Sequence, residues 1–221
     1  MKEYQTSEVA FFGKITAGIT HEFKNVLAII KESAGLMEDF LLLSPTDSFP
    51  YRQKFVDTMG IIKEQVGRGN ALVAGLNQFA HSADQSRAEI NLNDTMAQLV
   101  LVSARFTRLK GVTLKFRSFD RPVPLTTDPM RLEMAVFAGM ESCLAYLSTG
   151  DTMSVRPGWA GDRVMIEIIC ECTASGQAGL TQTLPVSQDW AGLQAMAADL
   201  NGTVESQDDP AGLVFIFPRQ G

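Results

Sequence analysis

Three residues able to do chemistry together lie within about one turn of helix: His21, Glu22 and Asn25, in the run His21-Glu22-Phe23-Lys24-Asn25. A neutral imidazole is a nucleophile near neutral pH, and a neighbouring carboxylate can orient it or deprotonate its other ring nitrogen. An amide at i+4 can donate to the oxygens of a phosphoryl group arriving at that nucleophile. Gly18, one turn earlier, costs about 1 kcal/mol of helix propensity relative to alanine, so its presence suggests that close access is useful there. Lys14 and Lys24 are placed to offset phosphoryl charge or to meet an acidic pocket on a partner, the plainer alternative being a solvated helix face.

The elements that must position these residues follow from periodicity. From about Ser7 to Leu43, apolar residues recur at three- and four-residue steps, and Phe12, Ile15, Ile19, Phe23, Val26 and Ile30 cluster opposite His21 at about 100° per residue. His21 is therefore expected on an open face with Lys14, Ala17, Gly18, Lys24, Asn25 and Ala28. Ser44 to Pro50, with two prolines and several turn formers, should be a loop. A second helix then carries Phe55, Met59, Ile62, Val66, Gly69, Val73, Leu76 and Ala80 at 4-3 spacing, a seam of the coiled-coil type. One antiparallel hairpin cannot bury both seams. A homodimer closing into a four-helix bundle is expected.

The polar stretch from His81 to Arg87 separates this hairpin, residues 1–84, from a second region, 89–221. There the pattern predicts helices over 93–109, 129–147 and 191–200, the last closed by Asn201-Gly202, and strands over 112–116, 152–156, 164–172, 202–206 and 213–217. Helices mixed with mostly antiparallel strands give an α/β sandwich, so the chain as a whole is α+β.

The run from Gly13 to Ala28 resembles the phosphoacceptor box of two-component histidine kinases, with valine at Val26 where that family usually has proline. The resemblance continues through Thr127-Asp128-Pro129-Met130-Arg131-Leu132, the stretch Trp190 to Ser206 that contains Gly192, and Ala211 to Pro218, which are similar to parts of the family's ATP-binding domain. It implies a dimerising hairpin followed by that domain. Ser142 falls where the family's magnesium-reaching asparagine stands, and Cys170 where its adenine-reading aspartate stands. The nucleotide pocket around Ser142, Cys170 and Gly192 therefore looks degenerate.

The bulk properties narrow the partners. A net charge of −6 and a pI near 5.0 supply no basic stripe for nucleic acid. Three cysteines, Cys143, Cys170 and Cys172, cannot all pair, and no second pair completes a metal site, which suits a reduced cytoplasmic setting. No apolar run approaches the roughly 20 residues needed to cross a bilayer. Neither a metal site nor a membrane span is expected.

These readings together imply a histidine phosphotransferase that relays phosphoryl groups between response-regulator receiver domains through His21, with no cofactor of its own. One alternative is a divergent ATP- and magnesium-dependent sensor histidine kinase that uses substitutes such as Glu141 or Glu171. The other is a non-catalytic pseudokinase scaffold.

Overall fold

The computed structural model describes residues 2–43, 49–82, 84 and 86–218, with side chains for all of these except residues 2–7 and 174. Helix α1, Lys2–Leu42, rises about 60 Å at 1.5 Å per residue, and helix α2, Arg52–Ser82, packs back along it. Most of the expected loop, residues 44–48, lies outside the described residues. At that end Phe40 stacks on Tyr51 and Phe49 meets Phe55 edge-on, so aromatic contacts fasten the hairpin tip.

Strand β1, Ala88–Asn91, leads into helix α3, Leu92–Leu109, which Asn91 caps by accepting from the Asn93 backbone N–H at 3.2 Å. Strands β2, Thr113–Phe116, and β3, Pro124–Thr127, precede helix α4, Pro129–Leu144. Asp128 caps α4 by accepting from Arg131 N–H at 3.0 Å, and Pro129 occupies the first turn, where its missing donor costs nothing. A hairpin of β4, Thr152–Ala160, and β5, Arg163–Glu171, follows. Short helix α5, Ala174–Ala178, passes through a π turn and a 3₁₀ turn to helix α6, Gln188–Asp199, and strands β6, Thr203–Asp208, and β7, Ala211–Phe217, complete the chain.

The main sheet runs β2-β4-β5-β7-β6, with β2 parallel to β4 and the other neighbours antiparallel; β1 and β3 form a separate two-stranded ribbon. Along β5, Val164, Ile166, Ile168 and Cys170 alternate into the core, where Ile168 and Phe215 press against Gly139 of α4. The opposite face carries Glu167, tied to Arg156 at 2.7 Å. This is the helical hairpin plus α/β sandwich expected of an α+β chain.

Of the seam expected on α2, Phe55, Ile62, Gly69 and Leu76 keep the inward side, but the alternate positions are shifted by one residue. Thr58, Gln65, Leu72 and Phe79 turn inward, while Met59, Val66 and Val73 remain 38%, 45% and 46% exposed. The shift has a local cause. Gly69 lets Val26 and Phe23 of α1 approach, and Gly75 lets Leu101 and Val102 of α3 approach, so the glycine side of α2 faces the chain's own interior.

The hairpin and sandwich share a core. Phe11 of α1 packs on Phe79 of α2 and Phe137 of α4, with centroids 5.4 and 5.3 Å apart, and Phe106 of α3 meets Phe137 edge-on at 5.2 Å. Gln98 of α3 also donates to the Gly75 carbonyl at 3.3 Å.

Candidate functional site

His21 is exposed on α1 and lines a shallow groove of about 470 Å³ with Thr16, Ala17, Thr20 and Lys24. The apolar residues Ile15, Ile19 and Val26 on the far side of the helix are buried, which fixes the rotation that turns the imidazole outward. Asn25 is half-buried one turn further on, and Lys24 is exposed.

Gly18 departs from its expected place beside His21. It is buried, and a Cβ there would sit 3.2 Å from the Phe106 ring, so the missing side chain makes room for α3 rather than for access to the imidazole. Lys14, though exposed, reaches toward α4. Its ammonium pairs with Glu141 of α4 and lies 5.6 and 5.3 Å from the ring centroids of Phe106 and Phe137, so it joins the hairpin to the sandwich.

Glu22 occupies a different environment from the histidine next to it. It is 5% exposed, and arginines from two other helices converge on it. Arg108 of α3 grips both oxygens, through Nη1 to Oε2 at 2.8 Å and Nη2 to Oε1; Arg68 of α2 donates to Oε2 at 2.7 Å, and Arg105 Nη1 stands 3.6 Å from Oε1. Burial by itself pushes the Glu22 carboxyl up, but the bond from Arg108 and the charges of Arg108, Arg68 and Arg105 bring it below the ordinary carboxylate range. With both oxygens engaged and its proton affinity lowered, Glu22 is a weak base in this arrangement. It acts as a fixed anion.

The sequence pattern did not single out these three arginines. Arg105 and Arg108 are one turn apart on one edge of α3, a recognisable basic edge, but nothing local signals that their partner lies 86 residues before Arg108.

In the sandwich, Ser142 and Gly192 line one groove of about 450 Å³ between α4 and α6, together with Glu141, Gln188 and Asp189. Cys170 is not among its lining residues. It is buried at the end of β5, where its free thiol is hydrogen-bonded with that of Cys143. That contact and burial push the Cys143 thiol well up, so Cys143 behaves as a protonated core residue. Glu141 is committed to Lys14, and Glu171 pairs with Arg117 at 2.6 Å on the solvent side. The groove thus offers a hydroxyl where the resemblance calls for an amide, and a buried thiol where it calls for a carboxylate. Its acidic residues Glu141 and Asp189 are the wrong sign for a triphosphate. The residues do not fit a magnesium–nucleotide held in the family's manner.

No protein-family model matches the chain. Over 157 residues it is 23% identical to the sensor histidine kinase ZraS of Salmonella typhimurium, an alignment covering 71% of this chain and 32% of ZraS. The chain thus spans about a third of the length of that relative. Among solved structures, the Acinetobacter baumannii histidine kinase AdeS overlaps 89% of this chain and 95% of its own, at 13% identity and a TM-score of 0.47. The cytoplasmic segment of histidine kinase QseC overlaps 71% and 95%, at 16% and 0.45. Histidine kinase ThkA, solved in complex with the response regulator protein TrrA, overlaps 95% and 61%, at 14% and 0.44.

Proposed function

We propose that this chain, which has the hairpin-and-sandwich fold of the two-component histidine kinases, is a histidine phosphotransferase that relays phosphoryl groups between response-regulator receiver domains through His21. The observation that carries this reading is a contrast between two sites. His21 is open to a macromolecular partner on a helical face, whereas the groove of the sandwich lacks the amide and carboxylate for nucleotide chemistry and spends Glu141 on Lys14.

In the relay, a ring nitrogen of His21 attacks the phosphorus of a receiver aspartyl phosphate roughly in line. The phosphorus–oxygen bond to the aspartate breaks, the aspartate leaves as a carboxylate, and the other ring nitrogen sheds its proton. Asn25 and Lys24 are near enough on the helix to steady the phosphoryl oxygens. Magnesium would come with the receiver. The exposed row Met59, Val66 and Val73 is the surface on which a second copy would close the four-helix bundle.

Mixing the protein with phosphorylated receiver domains should transfer label to it, and His21→Ala should abolish the transfer. Equal labelling of the His21→Ala chain would overturn the proposal. The similarity to ZraS, a sensor kinase, favours a second reading, an ATP-dependent kinase with substitute pocket residues. Binding of ATP at millimolar concentration followed by autophosphorylation on His21 would decide for it.

A further inference from the structure

Three guanidinium groups converge on the single carboxylate of Glu22, the residue next to the phosphoacceptor. Arg108 takes both oxygens bidentately, and Arg68 takes one of the lone pairs that remain. These two bonds already fasten α2 and α3 to α1, so Arg105, which makes no hydrogen bond to Glu22, exceeds what fastening the helices requires. Arg105 is costly to keep there, because its side chain is only 18% exposed and its contact with Glu22 is as long as 3.6 Å. The cluster carries a net two positive charges.

His21, next to Glu22, is the group that gains negative charge during the proposed reaction. Neighbouring Cα atoms are about 3.8 Å apart and their side chains leave a helix about 100° apart, so a phosphoryl dianion on the imidazole forms within about one Debye length of the cluster. We propose that Arg105, Arg108 and Arg68, gathered by Glu22, are positioning residues that supply a built-in counter-charge for phosphorylated His21, stabilising it without touching the ring. This rests on His21 as the phosphoacceptor and not on the identity of the donor. It assigns Glu22 the task of assembling cations rather than of accepting a proton.

The test uses phosphoramidate as donor, so that no receiver is involved. The His21 nitrogen attacks phosphorus, the phosphorus–nitrogen bond of the donor breaks, and the departing ammonia takes the imidazole proton to leave as ammonium. At a fixed phosphoramidate-to-ammonium ratio and low salt, the ratio of labelled to unlabelled full-length chain should fall about threefold in each of Arg105→Gln, Arg108→Gln and Arg68→Gln. It should stay near the wild-type value in Arg108→Lys. In 1 M salt, where the Debye length is about 3 Å, these differences should collapse.

Either of two results would overturn the proposal: Arg108→Lys behaving like Arg108→Gln, or differences that survive 1 M salt. Each would mark the cluster as a purely structural fastening. If phosphoramidate labels the chain and receivers do not, only the relay reading fails; if phosphoramidate fails to label His21, the counter-charge proposal fails with it.

Discussion

At the scale of single residues, the motif was easier to read than its surroundings. The outward face of His21 follows from the apolar residues opposite it, because helical rotation is a local property. The fates of Glu22, Gly18 and Lys14 are set by α3 and α4, which arrive from more than 80 residues away; no spacing within α1 encodes that. Glu133 of α4 was missed for the same reason. It is 1% exposed, and its Oε2 has no hydrogen-bond partner among the described residues. Burial pushes its carboxyl from 4.5 up to about 8, against a smaller opposing effect of a bond with Ser82. The folded chain therefore holds this proton more tightly than the unfolded one, and stability should decline as pH rises from about 4.5 through about 8. The expected loss is about 3–5 kcal/mol across that window, read from denaturant midpoints, and Glu133→Gln should flatten the slope and stabilise the protein at pH 8 and above. Glu22, whose carboxyl is lowered, acts in the opposite sense: its contribution is present above its ordinary range and is lost on acidification.

At the scale of elements, the long helices and the central strands were legible because their periodicity persists over many residues. The ribbon of Ala88–Asn91 with Pro124–Thr127 was not, since each strand holds a single large apolar residue, Ile90 or Leu125, among polar residues, alanine and proline. The start of α6 at Gln188 is set by the Ser187 hydroxyl, which accepts from Trp190 N–H at 3.3 Å, a cap overlooked beside the more visible closing signal at Asn201. On α2 the inward row of Thr58, Gln65, Leu72 and Phe79 was not legible, because two of its four members are polar and its orientation depends on α3 lying across Gly75. A Cβ at Gly75 would stand 3.1 Å from Leu101. Gly75→Leu should therefore lower stability by about 1–3 kcal/mol in denaturant unfolding and speed hydrogen exchange in α3, despite the better helix propensity of leucine. An unchanged midpoint would mean that α3 does not depend on close approach to α2.

At the scale of the whole molecule, the exposed row Met59, Val66 and Val73 recurs every seven residues on α2, opposite in sense to the buried row beside it. If a second copy covers it, Val66→Glu with Val73→Glu should convert a dimer into a species of 24.1 kDa in sedimentation velocity. A wild-type chain that already sediments at that mass would remove the bundle from the proposal. The sandwich was read from sequence as a separate unit; Phe11, Phe79, Phe106 and Phe137 bind the two halves through one aromatic cluster. That cluster bears on how the protein is made. A chain emerging from the ribosome presents Phe11 and Phe79 early, but the ring that closes over Phe11 belongs to residue 137. Until α4 has emerged, the nascent hairpin carries an open apolar seat facing its own unfinished remainder.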